Sequence, residues 1–201
     1  MTTDVTKKGY RAGFSSANKG KRFPIELLTS NEVDRLIRQC SSSAPTGVRN
    51  RALIGVMYRS GVRLAEALGL YVRDLDPTAG TLNIRQGKGK KQRIIGMDSG
   101  GFGLLIHWLT LREQHNLTGH HPIFCTLDGH QLHPSYVRTM LQRIACKAQI
   151  DKRVHPHGLR HTFAAQLVQE GVPVNTIQAQ LGHTNLQTTS TYLSHIQPAD
   201  L

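Results

Sequence analysis

A change in apolar period sets the architecture expected of this chain. "LLTSNEVDRLIRQC", "VRNRALIGVMYRSG" and "LAEALGL" carry apolar residues at helical spacing, whereas "TLNIRQ" and "KQRIIGM" are short β-type runs. Between these two stands "GKGK", whose glycines supply the positive-φ positions of a hairpin turn, and "YVRDLD" just upstream is expected to form a third strand. The helical period then returns in "FGLLIHWLTLREQ", "YVRTMLQRIACKA", "HGLRHTFAAQLVQEG" and "PVNTIQAQLGH". The expected fold is mainly α with a small antiparallel β-sheet near the first third of the chain, an α+β arrangement in a single domain.

Local signals place several helix ends. Thr29 and Glu32 have capping-box spacing ahead of Val33, Leu36 and Ile37, and a helix is expected to stop near Gly61. Pro173 suits a first-turn position and Gly182 a C-terminal cap. Residues 1–24 hold six basic residues against one acid, with many Gly, Ser and Thr, and are expected to be a flexible basic arm preceding a folded domain over residues 25–201.

"HPHGLRH", residues 155–161, brings three histidines and an arginine together. On a helix, His157, Arg160 and His161 share one face. Two histidines four apart are also the spacing of a zinc-protease helix, but Gly158 stands where that motif needs a glutamate base, and Arg160 would repel a dication. No metal is therefore expected here, and the cluster suits an anion. Charge agrees: 25 Lys and Arg against 13 Asp and Glu give +12 over 201 residues, which fits a polyanionic partner, double-stranded DNA first. No apolar run is long enough to span a membrane and the N-terminus has no signal-peptide core, so a cytoplasmic, nucleoid-associated protein is expected. Cys40, Cys125 and Cys146 form no CxxC pair and are expected to be reduced core residues.

Taken in order, Arg63 in "SGVRLAEALGL", Lys88 in "GKGKKQR", His157 and Arg160 in "HPHGLRH", His183 in "LGH" and Tyr192 in "TTSTYLSH" resemble the tyrosine recombinases, the phage-integrase-like site-specific DNA recombinases. The resemblance covers roughly residues 27–193. It implies that Arg63 and Arg160 hold the scissile phosphate, that Lys88, His157 and His183 assist, and that Tyr192 attacks to give a 3′-phosphotyrosyl link and a free 5′-hydroxyl. Glu66 matches the acidic position that supports the site from behind, and His161 is expected to be structural. Lys90, Lys91 and Arg93, with Lys19, Lys21 and Arg22 of the arm, are expected to touch DNA. Self-association on DNA as a dimer or tetramer is implied, and neither a cofactor nor ATP is required.

The chemistry justifies these residue types. Attack on a phosphodiester gathers negative charge on the non-bridging oxygens, and guanidiniums meet that charge through planar forks. A protonated tyrosine, with a free pKa of about 10, is a weak nucleophile, so a histidine must take its proton; His157 is the expected base and His183 a phosphate donor. The departing 5′-oxygen needs a proton, which Lys88 can supply. Two other functions share parts of this pattern: a type IB topoisomerase-like nicking and closing enzyme, and a DNA-binding regulator without catalysis. A metal-dependent nuclease fits less well, because the acids form no clustered set.

The pattern departs from the family at both ends. Most members carry a helical domain of roughly a hundred residues ahead of the catalytic one. Here only the arm precedes residue 25, so the chain is expected to be either a minimal recombinase, similar to the short fimbrial phase-variation invertases, or a catalytic-domain fragment. Nine residues follow Tyr192, fewer than a full docking helix needs.

Overall fold

A computed structural model describes residues 26–85 and 92–182. The expected arm, with Lys19, Lys21 and Arg22, lies outside the described residues, as do Lys88, Lys90, Lys91, His183 and Tyr192.

The chain enters through α1 (Ser30–Arg38), where both halves of the capping box are present. The Thr29 N–H donates to Glu32 Oε2 at 2.7 Å and the Glu32 N–H to Thr29 Oγ1 at 3.2 Å. Val33, Leu36 and Ile37 form its buried stripe. Glu32 also receives Lys152 Nζ at 2.8 Å, so Thr29→Ala removes the cap and leaves that ion pair. The variant is expected to lose about 1 kcal/mol, read as a lower urea midpoint; an unchanged midpoint would show that the cap is idle.

Helix α2 (Pro45–Ser60) is the central element. Val48, Ala52, Leu53, Ile54, Val56 and Met57 bury it on nearly all sides, as expected of a helix covered by its neighbours. Gly61 ends it with φ 66°, and a Cβ there would lie 2.4 Å from Phe163 Cδ1, so both backbone and packing require glycine. Helix α3 (Leu64–Leu68) follows directly. "YVRDLD" departs from the expected strand: Val72–Asp74 is a 3₁₀ turn, and only Leu75–Asp76 pairs as β1. The Asp74 carboxylate accepts the Tyr71 N–H at 3.0 Å and pairs with Arg85, which wraps the backbone before it can extend.

Strands β2 (Thr81–Ile84) and β3 (Arg93–Gly96) complete an antiparallel sheet in the order β1-β2-β3. Leu82 faces Ile95 and Ile84 faces Arg93, so these four residues share the inward side of the sheet. Helices α4 (Ser99–Gln114), α5 (Pro134–Lys147), α6 (Pro156–Gln169) and α7 (Val174–Leu181) make up the rest, giving the mainly helical α+β fold that the periods predict. α4 and α6 pack on α2, with Trp108 buried and donating to the Ile123 carbonyl at 2.8 Å. Pro173 serves as the N-cap of α7, just outside the first turn.

α7 is tied back by Gln180. Its amide nitrogen donates to the carbonyls of Gly96 (2.7 Å) and Ser60 (3.1 Å), and its oxygen accepts the Gly96 N–H (3.0 Å). One side chain thus joins β3, the end of α2 and α7. Among the described residues no helix is long and apolar enough to cross a membrane. All three cysteines are free; Cys40 and Cys125 are buried, but Cys146 is exposed, because it falls outside the α5 stripe of Val137, Met140, Leu141, Ile144 and Ala145.

Candidate active site

The first turn of α6 positions the "HPHGLRH" cluster. His155 is the N-cap, its Nδ1 accepting the Gly158 N–H at 2.6 Å, and Pro156 opens the helix. One turn on, the rings of His157 and His161 meet edge to face with centroids 4.2 Å apart. His161 is buried behind, whereas His157 keeps an open surface.

Arg160 is 1% exposed and reaches across the domain. It donates to the Gly61 carbonyl at 2.6 Å and to the Leu181 carbonyl at 2.7 Å, at the C-terminal ends of α2 and α7. Those carbonyls carry the negative end of each helix dipole and lack partners within their own helices, so a guanidinium satisfies them well. Arg63 meets the next residue along, donating to the Gly182 carbonyl at 3.1 Å. Gly182 has φ 65°, and a Cβ there would press within 2.7 Å of the Arg93 guanidinium.

Behind Arg63 lies Glu66, whose side chain is 3% exposed. One carboxylate oxygen accepts from Arg63 NH1 at 2.8 Å and from Arg93 NH1 at 3.0 Å. The other accepts the Arg63 backbone N–H at 2.9 Å and Arg93 NH2 at 2.8 Å. Burial alone would raise this carboxyl, but the Arg93 bonds, the Arg63 N–H and the Arg93 charge outweigh it and hold Glu66 below the ordinary carboxylate value. Arg93, expected to touch DNA, is instead engaged here and only 15% exposed. The cause is strand register: opposite the buried Ile84, Arg93 points inward with it.

Arg63, His157 and Arg160 line one cavity of about 390 Å³. Leu64, Pro156, His155, Arg138 and Arg153 complete its wall, and among the described residues no acidic side chain does. The sequence candidates omit Arg138 of α5 and Arg153 of the α5–α6 connection, since neither falls in a recognisable motif. Within the cavity, loss of hydration first, then the charges of Arg160, His155 and Arg63, hold the His157 imidazole below its ordinary value. His155 is lowered chiefly by burial, with the Arg153 charge acting in the same sense. A larger cavity of about 540 Å³ contains none of the candidates, and its charged lining is Asp34, Asp98 and Glu170 against Arg59, which is already paired with Asp98, so its net charge is wrong for a phosphate. Among the described residues no group of three or more His, Cys, Asp or Glu is placed to hold a metal ion.

Known proteins resemble this chain in sequence and in fold. The phage integrase family matches residues 26–197. Tyrosine recombinase XerC of Thermodesulfovibrio yellowstonii is 32% identical over 182 residues, which cover 88% of this chain and 60% of that protein. Tyrosine recombinase XerC of Bacillus subtilis is 34% identical over 184 residues, covering 86% of this chain and 57% of that one. The fold is similar to the crystal structure of XerA recombinase, with TM-score 0.76 and 29% identity over 92% of this chain and 63% of that chain. It is also similar to XerH site-specific recombinase bound to a palindromic difH substrate in a post-cleavage complex, with TM-score 0.73 and 29% identity over 87% of this chain and 51% of that chain. The chain thus spans about half to three-fifths of the length of the curated relatives it matches. A family match that takes in the whole described region, joined to a shared fold, means that the chain belongs to the phage integrase family.

Proposed function

We propose that this chain carries out site-specific recombination of double-stranded DNA, cleaving and rejoining strands through a 3′-phosphotyrosyl intermediate. The observation that carries the proposal is the cavity where Arg63, His157 and Arg160 converge, with no carboxylate in the wall among the described residues. A phosphodiester in it meets guanidiniums held from behind, Arg63 by Glu66 and Arg160 by two helix-end carbonyls. Such pre-aligned donors stabilise the charge that develops during attack.

In the proposed reaction the Tyr192 oxygen bonds to phosphorus while the bond from phosphorus to the 5′-oxygen breaks. His157 takes the tyrosine proton, His183 donates to a non-bridging oxygen, and Lys88 gives the leaving oxygen its proton. A second strand's 5′-hydroxyl then reverses these steps, so the bond energy is conserved without ATP. Residues 25–201 are the catalytic domain in this proposal, and the basic residues of segment 1–24 contact phosphates flanking the site. Copies of the chain associate on DNA, in the cytoplasm at the nucleoid.

The test is a library of nicked duplexes with a randomised core, incubated with protein and resolved on a denaturing gel. A nick close to the cleavage point releases the leaving strand and traps the covalent complex. Trapped DNA supports the proposal and reports the site; no trapped DNA from any core overturns it.

Two conditions sharpen this assay. EDTA is expected to leave the rate of trapping unchanged, because Arg63 and Arg160 supply the charge stabilisation. Loss in chelator with recovery on Mg²⁺ would refute that assignment. pH is expected to act through His157. With its imidazole held below 6.5, the neutral base persists through pH 7, and the rate falls only as pH drops through a value under 6.5. His157→Ala should lower the rate about a hundred-fold and erase that acid limb; an unchanged limb in the variant would assign the base elsewhere.

A further inference from the structure

We infer that Arg138 and Arg153 form a second phosphate subsite in the cavity of Arg63 and Arg160, so that the site grips two consecutive phosphates of one DNA strand. The inference rests on the recombinase proposal above and extends it to two residues that no motif singles out.

Several observations carry it. The cavity, about 390 Å³, is several times larger than one phosphate group. Its arginines fall into two sets by burial. Arg160 is buried and Arg63 part-buried, both anchored through the bonds described, so they form the floor. Arg138 and Arg153 are exposed while lining the same space, so they form the rim. They come from different elements, and each backbone is fixed. Arg138 lies beside the buried Val137 in α5. The Arg153 N–H donates to Glu26 Oε2 at 2.9 Å, and the neighbouring Lys152 Nζ donates to the Leu27 carbonyl at 2.9 Å. Both side chains therefore start from backbone that is anchored to the fold.

His155 adds a neutral donor to this rim. Because its Nδ1 accepts from Gly158, the proton of the neutral ring sits on Nε2. Two guanidinium forks and an imidazole N–H suit a dianionic or monoanionic phosphate oxygen set far better than a base edge. Along a DNA strand the group next to one phosphate is always another, joined by a single nucleoside. Occupation of the rim by that neighbour would hold the strand at two points and fix the direction in which the reacting phosphate presents its leaving oxygen. Arg138 and Arg153 are thus positioning residues.

The probe is thymidine 3′,5′-bisphosphate, which spaces two phosphates as the backbone does, compared with thymidine 5′-monophosphate. Both are titrated calorimetrically into the full chain at about 0.15 M salt, where distant charges are screened. The bisphosphate is expected to bind about ten-fold more tightly than the monophosphate. In an Arg138→Gln, Arg153→Gln variant that advantage should vanish while monophosphate affinity stays within about two-fold. A bisphosphate advantage that survives the double substitution, or equal weakening of both ligands, overturns the subsite. Failure of the recombinase proposal looks different: no core traps DNA, yet the two-phosphate preference and its dependence on Arg138 and Arg153 remain, which supports the subsite alone.

Discussion

Glu66→Ala is expected to lower the stability of the folded chain by about 3 kcal/mol, or about 10 °C in melting temperature for a protein of this size. Two cations depend on this carboxylate, Arg63 with a side chain 32% exposed and Arg93 with one 15% exposed. Removing it leaves a positive pair facing an apolar gap and strips the Arg63 N–H of its acceptor at the start of α3. The estimate is at the low end for a broken buried pair because Arg63 can turn partly to water. Glu66→Gln keeps the shape and one acceptor oxygen, so its loss should be smaller. Acid titration separates charge from packing. The Glu66 carboxyl is lower in the folded chain than its ordinary 4.5, so its contribution is fully present above that value and is lost as pH falls below it. Wild-type stability should therefore fall more steeply with acid than that of Glu66→Gln. Parallel curves, or an unaltered melting temperature in Glu66→Ala, would show that Arg63 and Arg93 are held by something other than this carboxylate.

Tyr192→Phe is expected to abolish covalent protein–DNA complex on every trapped core while leaving DNA affinity within a factor of about two. Only the oxygen proposed as nucleophile is removed, and the cavity wall of Arg63 and Arg160, proposed to hold the phosphate, remains. The paired measurements are trapping on a denaturing gel and equilibrium binding by fluorescence anisotropy. Residual covalent product would assign the nucleophile to another residue. Loss of affinity together with trapping would mean that the tyrosine contributes mainly to binding.

Local rules were enough for much of the fold. The capping box of α1, the left-handed glycines after α2 and α7, and the antiparallel pairing of β2 with β3 across a single hairpin each depend on residues near in sequence, and the structure has all of them. The misjudged stretch, "YVRDLD", has strand-like composition, but Asp74 offers the Tyr71 N–H a nearer partner than any neighbouring strand. The inward turn of Arg93 was legible in principle, since the hairpin register sets it opposite Ile84, but composition alone makes it another basic residue beside a basic turn. The cavity is a different matter. Arg160 is anchored by carbonyls of Gly61 and Leu181, and Arg138 and Arg153 join it only through the packing of α5 and α6, so no local pattern announces their meeting. Motif resemblance named Arg63, His157 and Arg160; only the three-dimensional arrangement adds the other two arginines.

The amide of Gln180 has a consequence for how this chain can vary. It spans 84 positions of sequence to fasten Gly96 to α7, and the residue after α7's glycine cap is His183. The hairpin's second strand and α7 are therefore bridged directly by a side chain, and the length of the intervening chain does not enter that bridge. Residues may be inserted or deleted in the α4–α5 connection, or the solvent faces of α4 and α5 rewritten, without altering that bridge. Shortening the side chain by one methylene, as Gln180→Asn does, changes it at once. A change of length in the α4–α5 connection leaves that bridge in place, whereas a change at position 180 removes it.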